Sequence, residues 1–293
     1  MANLKEVKNR IVSVTSTQQI TSAMKMVAAA KLRRAQDRII QMRPYSQKMT
    51  GILQNVSAGL DGSIENVFGE IREENKVLLV VVTSDRGLCG GFNSNVFKTT
   101  EALIEEKYSY QKKSGDLYIL PIGKRSFEYF KKRKFQLVDD YYEMFGNLSF
   151  DEAKIAANAV MNGFVNGDWD KVELVYNEFK NVATQILRTE QFLPVEAGTS
   201  DEVDSSTDYI YEPTAENVVQ EMIPKSLRIQ FYKAVLESNA SEHGARMTAM
   251  DQATDNAEDL IKELKLTYNR SRQAAITKEI LEIVGGAEAL AEG

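Results

Sequence analysis

The sequence predicts an α/β protein, in which a long antiparallel coiled coil of N- and C-terminal helices carries an inserted doubly wound, Rossmann-like α/β domain. Two observations indicate the coiled coil. Apolar residues recur at steps of three and four near both ends of the chain, and its last part contains few helix breakers. A third observation indicates the inserted domain, because short β-branched runs alternate with helical segments in the middle. The predicted segments are 1–60, 61–214 and 215–293.

The C-terminal helix is predicted from about residue 227 to residue 290. No proline follows Pro224, and no glycine lies between Gly244 and Gly285, so nothing in that interval is expected to stop a helix. The apolar seam is narrow and therefore requires a partner helix of similar length. Its predicted positions are Met247, Met250, Thr254, Ala257, Ile261, Leu264 and Tyr268, followed by Ile276, Ile280, Ile283, Ala287 and Leu290.

The N-terminal helix is the predicted partner. Its core positions are polar in the middle, where apolar side chains occur on other faces. We expect one face to contact the C-terminal helix and another face to contact a further protein; repacking around a stutter is the alternative. Pro44 is expected to kink or loosen the helix. The apolar core positions are Leu4, Val7, Ile11, Val14, Ala28, Leu32, Ala35, Ile39, Met42, Met49, Leu53, Val56 and Leu60; the polar ones are Gln18, Thr21 and Lys25; the apolar residues on other faces are Ile20, Met24, Met26 and Val27.

Charge is distributed unevenly along the chain. The net charge is -6, yet residues 1–60 contain ten Lys and Arg against two acidic residues, which gives that segment +8. A basic segment in an acidic chain indicates an acidic partner, for which nucleic acid, anionic lipid and an acidic protein surface all qualify; a solvated helix face is the alternative.

Composition limits the other classes. The single cysteine, Cys89, excludes an internal disulfide and, with one histidine, argues against a zinc site, so a reducing compartment is expected. No apolar run approaches the roughly 18 residues of a membrane span, and no signal peptide is expected at the start.

The middle of the chain is predicted to alternate strands and helices. Residues 76–83, KVLLVVVT, are typical of a strand buried on both faces of a mainly parallel sheet. Asn93 and Ser94 are predicted caps of the helix that follows, which reaches about residue 108, and Ser149 is the predicted cap of a later one. The other predicted elements are strands 117–122, 135–141, 171–178 and 182–193, the last two as a hairpin, and helices 124–133 and 150–164.

The segment after these strands, 196–212, contains six acidic residues and no Lys or Arg, so an exposed loop is predicted there. Thr214 is expected to cap the next helix, and Pro224 is expected to interrupt it before the long C-terminal rod begins.

The loop 84–93, SDRGLCGGFN, is rich in glycine and precedes a predicted helix. Such loops can bind phosphate, but this one has neither the GxGxxG nor the GxxxxGK[ST] spacing. A tight structural turn is therefore the preferred interpretation, and nucleotide binding is the alternative. Cys89 is expected to be a small apolar group there, and Asp85 is expected to form an ion pair with Arg86.

Other polar groups carry weaker signals. His243 is expected to face solvent or to form a hydrogen bond, and no Ser/His/Asp or Cys/His arrangement is recognisable. Residues 269–273, NRSRQ, interrupt the C-terminal seam, which indicates contact with another surface; a solvated face is the alternative.

Three separated motifs resemble the γ subunit family of F-type ATP synthases, the central shaft of the rotary enzyme. They are ITSAMKMVAAAKLRRAQ at 20–36, SDRGLCGGFN at 84–93, and the segment from ARMTAMDQATDN to EILEIVGGAEAL at 245–290. Their order is that of the family, and the resemblance covers essentially the whole chain except 196–212, which matches no motif. The lack of a transit peptide and of a cysteine-bearing insert resembles bacterial members.

The resemblance implies that the terminal helices form an asymmetric coiled coil inside a ring of three α and three β subunits. It also implies that the α/β domain contacts the ε subunit and the membrane ring of c subunits. Ion flow would turn this shaft and drive the β sites through ATP synthesis. The chain itself would catalyse nothing, bind no cofactor, metal or nucleic acid, and lie peripherally at the cytoplasmic face of the cell membrane without inserting into it.

The resemblance implies roles for individual residues as well. Met24 and Lys25 match the segment that faces the moving lever of β, although the family usually has an acidic residue where this chain has Lys25. Arg246 matches a coupling position on the C-terminal helix. The segment that hydrogen-bonds the ring is matched by Arg272, Gln273, Thr277 and Glu279. From charge, we expect acidic β surfaces to be met by Arg33, Arg34 and Arg38.

Two other classes of protein are compatible with parts of the pattern. A coiled-coil scaffold with an α/β module would have the same rods but would stimulate no ATPase. A nucleotide-binding enzyme would use the loop 84–93 and would bind a nucleotide as an isolated chain.

Overall fold

The computed structural model describes residues 4–58, 67–195 and 215–291. The predicted acidic loop 196–212, the predicted cap Thr214 and the predicted core position Leu60 lie outside these ranges. No helix within them is long and apolar enough to cross a membrane. The main elements in chain order are α1 Leu4–Ala58, β1 Val77–Val82, α2 Phe92–Glu106, α3 Ser109–Ser114, β2 Leu117–Ile122, α4 Lys124–Lys132, β3 Gln136–Leu137, α5 Phe150–Asn166, β4 Lys171–Phe179, β5 Gln185–Leu193 and α6 Ala215–Ala291.

The chain divides into two compact units. The first is Met1–Val27 with Met247–Gly293, and the second is Ala28–Arg246. Both long helices, α1 and α6, contribute to each unit.

In the first unit, α1 and α6 lie antiparallel. Thr21 faces Thr254 and Lys25 faces Asp251, so residue numbers rise along one helix as they fall along the other. The antiparallel coiled coil predicted from the two heptad patterns is therefore confirmed over this stretch. Its buried apolar positions are Val7, Met250, Ala257, Ile261 and Leu264.

The second unit contains a five-stranded sheet in the order β3-β2-β1-β4-β5. β1 pairs parallel with both β2 and β4, β3 pairs parallel with β2, and β5 pairs antiparallel with β4. Every side chain of β1 is buried. The predictions of a mainly parallel sheet with a buried central strand, and of a hairpin at its end, are confirmed.

Alternate residues of β1 enter two separate cores, one on each face of the sheet. Leu78, Val80 and Val82 pack with α5 and α6, and the residues between them pack with α2 and α4. Helices on both faces make this a doubly wound fold, as predicted. The contribution of α6 to the first core consists of Ile223, Leu227, Phe231, Ala234 and Val235.

α1 also follows its predicted pattern in the second unit. Ala28, Leu32, Ala35 and Ile39 are buried, at spacings of three and four. Further along, a guanidinium nitrogen of Arg43 lies 3.5 Å from a carboxylate oxygen of Glu237, a buried residue of α6. The side chains of the later core positions, Leu53 and Val56, lie outside the description.

Some predicted caps and boundaries are wrong. No side chain caps α2, which has Gly91 at its N-cap, because Asn93 is bonded to Ser84 instead. β3 is a two-residue edge strand, since only Gln136 and Leu137 pair with β2. Helix α3 was not predicted. The predicted cap of α5 is confirmed, because the Ser149 hydroxyl accepts a hydrogen bond from the backbone N–H of Glu152.

The predicted interruption at Pro224 is wrong, because α6 continues through it. A proline inside a helix removes a backbone hydrogen bond and costs roughly 3 kcal/mol. Ile223 and Leu227 flank this proline and are buried in the core, where each such side chain stabilises the fold by roughly 1.5–3 kcal/mol. Packing therefore offsets the proline. α1 likewise stays helical through Pro44.

Gly123 connects β2 to α4 in a conformation that other residues rarely adopt, with φ 97°. A Cβ atom there would lie 2.2 Å from the backbone oxygen of Thr83. We expect Gly123→Ala to lower the free energy of unfolding by roughly 1–3 kcal/mol from backbone strain alone, with the clash adding to the loss. Denaturant unfolding of the full chain measures the effect. Gly146→Ala is the control, because a Cβ there meets no atom within 4 Å; equal losses in the two variants would contradict the prediction.

Candidate functional site

The polar stretch of the N-terminal seam faces α6 in the first unit. The hydroxyl groups of Thr21 and Thr254 lie 2.8 Å apart and share a hydrogen bond, which satisfies the hydroxyl of Thr21, a residue only 8% exposed. One turn further along α1, the ammonium group of Lys25 forms an ion pair with Asp251. A seam of apolar groups alone could slip, whereas these directional contacts fix the register of the two helices. The structure thus gives Lys25 a partner within its own chain.

The other faces of the same stretch are apolar and exposed. Ile20, Met26 and Val27 each expose more than half of their surface, and Met24 is half-buried. The predicted apolar side chains outside the seam are therefore on the surface. Exposed apolar residues grouped along one segment are typical of a binding surface.

The C-terminal end of α6 has no partner helix among the described residues. The pairing of Thr21 with Thr254 places Leu4, the first described residue of α1, opposite a position near residue 271. Every described residue from 272 to 287 is exposed. The predicted continuation of the coiled-coil seam through Ile276, Ile280, Ile283 and Ala287 is therefore wrong within the described part of the chain, and the Leu290 side chain lies outside the description. The exposed stretch includes the four predicted contact residues Arg272, Gln273, Thr277 and Glu279.

The three arginines predicted from charge lie on α1 in the second unit, and all are exposed. Arg38 donates a hydrogen bond of 3.2 Å to the backbone oxygen of Leu148. Arg33 and Arg34 form no ion pair with any other described residue.

Arg246 joins α6 to the glycine-rich loop. Its guanidinium donates to the backbone oxygens of Gly87 and Arg86, at 2.9 and 3.1 Å, and to a carboxylate oxygen of Glu242 at 2.6 Å. The side chain is only 11% exposed. We call Arg246, Glu242 and the loop 84–93 the arginine clamp. It holds the carboxyl end of β1 against α6 within the second unit.

The rest of the loop is bonded to itself. The amide group of Asn93 bonds to the backbone N–H and the hydroxyl of Ser84, and Asp85 accepts from the backbone N–H of Lys124 at 3.1 Å. Within the described residues Asp85 makes no ion pair with Arg86, so that prediction is wrong. Cys89 is buried, and burial raises the pKa of its thiol. These internal bonds support the interpretation of the loop as a structural turn rather than as a phosphate-binding loop.

Glu242 is a residue that sequence analysis missed. It lies four positions before Arg246 on the same helix, and that spacing of opposite charges is the signal that could have indicated the pair. Burial raises the pKa of its carboxyl group to about 7, although Arg246 and Lys31 oppose this change; Asp85 adds to it. A carboxyl group deprived of water is held in its neutral form more readily.

His243 lies next to it and does not face solvent, which corrects the expectation of a solvent-facing ring. Its side chain is 12% exposed, and its Nδ1 atom has no hydrogen-bond partner among the described residues. Burial lowers the pKa of the ring to about 4, and the positive charges of Lys31 and Arg246 lower it further.

These two groups give opposite pH dependences. The pKa of Glu242 is raised from 4.5 to about 7, so its contribution to stability is lost as pH rises across that window. The pKa of His243 is lowered from 6.5 to about 4, so its contribution is lost as pH falls across that window. In the intact chain the two effects oppose each other between pH 4.5 and 6.5.

We therefore expect Glu242→Gln to gain stability relative to the intact chain as pH rises from 4.5 to 7, by up to about 3 kcal/mol. His243→Gln is expected to lose stability relative to the intact chain as pH rises from 4 to 6.5, by a similar amount. Denaturant unfolding at several pH values measures both differences. The double variant is the control, because the two opposite pH dependences should largely cancel and leave its stability curve nearly parallel to that of the intact chain. If both single variants also gave stability curves parallel to that of the intact chain, the assignment would be refuted.

The chain is similar to known proteins along nearly its whole length. A family model described as ATP synthase matches residues 3–290. The ATP synthase gamma chain of Cytophaga hutchinsonii is 60% identical, and that of Flavobacterium psychrophilum is 54% identical; each match covers 99% of both chains.

Solved structures of similar fold come from mitochondrial ATP synthases. A chain of the Tetrahymena thermophila central stalk and c-ring is 26% identical, with a TM-score of 0.57 over 80% of this chain and 99% of that one. A chain of the Euglena gracilis OSCP/F1/c-ring assembly is 22% identical, with a TM-score of 0.69 over 98% and 94%. With matches along nearly its whole length to chains of one kind, and with the same long helices around a mainly parallel sheet, the chain belongs to the ATP synthase gamma chain family.

Proposed function

We propose that this chain is the central rotating shaft of a proton-translocating F-type ATP synthase. It would couple ion flow through a ring of c subunits to ATP synthesis at the β subunits of a surrounding α and β ring. The observation that carries the proposal is the unpaired end of α6, where every described residue from 272 to 287 is exposed. Residues 1–60 and 215–293 would form the shaft, and 61–214 the inserted domain.

The unpaired end needs a surrounding surface. It exposes Ile276, Ile280, Leu281, Ile283 and Val284 on a single helix. Short isolated helices are marginal in water, and an exposed apolar stretch of this length is typical of a protein contact. The ring of α and β subunits would cover it, with its polar groups hydrogen-bonded by Arg272, Gln273, Thr277 and Glu279.

The paired stretch would transmit torque. A shaft that turns must not let its two helices slide, and the Thr21–Thr254 and Lys25–Asp251 contacts resist sliding. The exposed apolar face next to them, with Met24, would meet the moving lever of β. An uneven shaft profile would then force each β site in turn through substrate binding, synthesis and release.

The energy for that work would come from ion flow, since one elementary charge crossing 100 mV releases about 2.3 kcal/mol. The chain itself would catalyse nothing. It would lie peripherally at the cytoplasmic face of the cell membrane, with the α/β domain against the ε subunit and the c ring. Arg246 would act by fixing the loop 84–93 at the carboxyl end of β1.

Purification of the tagged chain from its native membranes tests the proposal. Two large subunit types in equal number, together with ATPase activity, are expected to copurify. Recovery of the chain alone, or with a partner that has no ATPase, would favour a coiled-coil scaffold. Direct binding of a nucleotide to the isolated chain would favour the enzyme alternative.

A chain that ends after Ser271 lacks only the unpaired part of α6. Because that part makes no contact with α1, we expect the truncated chain to unfold at the same denaturant concentration as the intact one. Coupled ATP synthesis in membrane vesicles should fall severalfold, because the shortened α6 no longer contacts the ring of α and β subunits. A chain that ends after Gly285 is the control. Full synthesis by the shorter chain would rule out the proposed contact.

Arg33, Arg34 and Arg38 test the charge contact with β. Replacing all three by Gln is expected to lower the number of protons pumped per ATP hydrolysed, measured in inverted membrane vesicles. The matched control replaces three other exposed basic residues, Lys98, Lys154 and Lys180, by Gln. An unchanged ratio in the arginine variant, or an equal fall in the control, would reject this contact.

A further inference from the structure

Five lysines form an exposed basic surface in the second unit. This lysine cluster stands out because the segment that contains it, 61–214, carries 17 basic and 27 acidic residues. None of the five forms an ion pair with another described residue. The cluster consists of Lys112, Lys113, Lys131, Lys132 and Lys134.

Contacts between α3 and the turn after α4 bring the cluster together. The Lys112 ammonium lies 5.3 Å from the centre of the Phe135 ring, and the Gln136 amide donates to the backbone oxygen of Gly115 at 2.6 Å. The chain reverses at Lys134, whose backbone N–H bonds to the Lys131 oxygen at 3.1 Å. Lysines that are far apart in sequence thereby occupy one corner of the domain.

The nearby acidic groups leave this corner positively charged. Glu101 is paired with Arg133 at 3.0 Å, and Glu128 is paired with Arg125 at 3.0 Å. Four other acidic residues lie close to α3 and form no ion pair with another described residue: Glu73, Glu105, Glu106 and Asp116. The five lysines outnumber these four carboxylates.

The lysine cluster lies at one end of the parallel strands. Its lysines surround the amino ends of β2 and β3, which are parallel to β1. The carboxyl end of β1 leads into the arginine clamp. The cluster and the clamp therefore lie at opposite ends of the parallel strands. Under the proposed function the α/β domain lies against the membrane ring, so a basic surface on this domain would lie near the membrane.

An exposed tyrosine accompanies the lysines. Tyr110 lies on α3, two residues before Lys112, and is 73% exposed. In membrane-spanning proteins tyrosine is enriched at the level of the lipid headgroups, and lysine is enriched in the cytoplasmic loops beside them. Each lysine ammonium group is a point charge on a flexible stem and requires no fixed geometry of its partner.

We propose that the lysine cluster, with Tyr110, binds the anionic phospholipid headgroups of the membrane surface beside the rotor. This inference rests on the proposed function, which places the chain on a membrane ring. A basic surface of this kind is attracted to an anionic leaflet within about one Debye length, and the attraction weakens as salt increases. The contact would be reversible and would involve no insertion into the bilayer.

Flotation of the full chain with lipid vesicles tests the inference. Vesicles of phosphatidylcholine with about one-third phosphatidylglycerol are compared with vesicles of phosphatidylcholine alone. We expect at least about tenfold stronger binding to the anionic vesicles, falling steeply with added salt. Replacing Lys131, Lys132 and Lys134 by Gln should weaken anionic binding by at least about tenfold.

The control removes the same charge elsewhere, with Lys98, Lys154 and Lys180 replaced by Gln, and should bind like the intact chain. Equal binding to both vesicle types, no loss in the cluster variant, or an equal loss in the control would each overturn the inference. If the cluster variant binds vesicles normally but purified complexes lose the c ring, the surface binds an acidic protein face instead. Failure of the proposed function would show separately, as missing catalytic subunits in the purification.

Discussion

The burial of α6 against the central sheet is the contact on which the rest of the second unit depends. Phe231 and Val235 are almost completely buried there and share a core with Leu78 and Val80 of β1. Without this helix one face of the sheet would lose part of its cover. The same helix then meets two other environments in the first unit, a partner helix and solvent. One continuous helix thus serves as a core wall, as half of a coiled coil and as a free end.

Buried carboxylates of α6 form ion pairs within the second unit. In the second unit the buried Glu237 pairs with Arg43, whose side chain is 51% exposed, and the buried Glu242 pairs with Arg246, whose side chain is 11% exposed. Ion pairs removed from water gain little stability on balance, because desolvation opposes their attraction, but breaking one costs several kcal/mol. These ion pairs fix the position of α6. They specify which turn of α6 lies against α1 and which turn holds the loop at the end of β1.

Much of the fold follows from short-range patterns in the sequence. The run KVLLVVVT predicts a buried central strand because it is apolar on both sides, and the heptads predict the helix pair. The end of that pairing could not be predicted, since the spacing of Ile276 and Ile280 is the same whether or not a partner helix reaches them. The interruption predicted at Pro224 is wrong for a related reason. The free-energy cost of a proline in a helix is local, but it is outweighed here by packing against a sheet that is distant in sequence.

The candidate sites divide in the same way. The exposed apolar face around Met26 is visible as a change of periodicity, and Arg246 is visible through a motif. Its bonds to backbone oxygens carry no sequence signal, and the lysine cluster depends on a turn that brings α3 beside Phe135. Lys25 shows the converse, since a charge that suggests an external partner is bonded to Asp251 within the chain.

The late position of α6 also matters on the ribosome. The last strand of the sheet ends at Leu193, but the helix residues that complete its core reach Val235. At roughly 5–20 residues per second, translation takes several seconds to supply that interval. During this time part of an apolar sheet face, and the whole seam of α1, await a segment that has not yet been made. The nascent chain is therefore a natural substrate for chaperones that shield apolar surface, and premature termination before residue 235 would leave an aggregation-prone fragment.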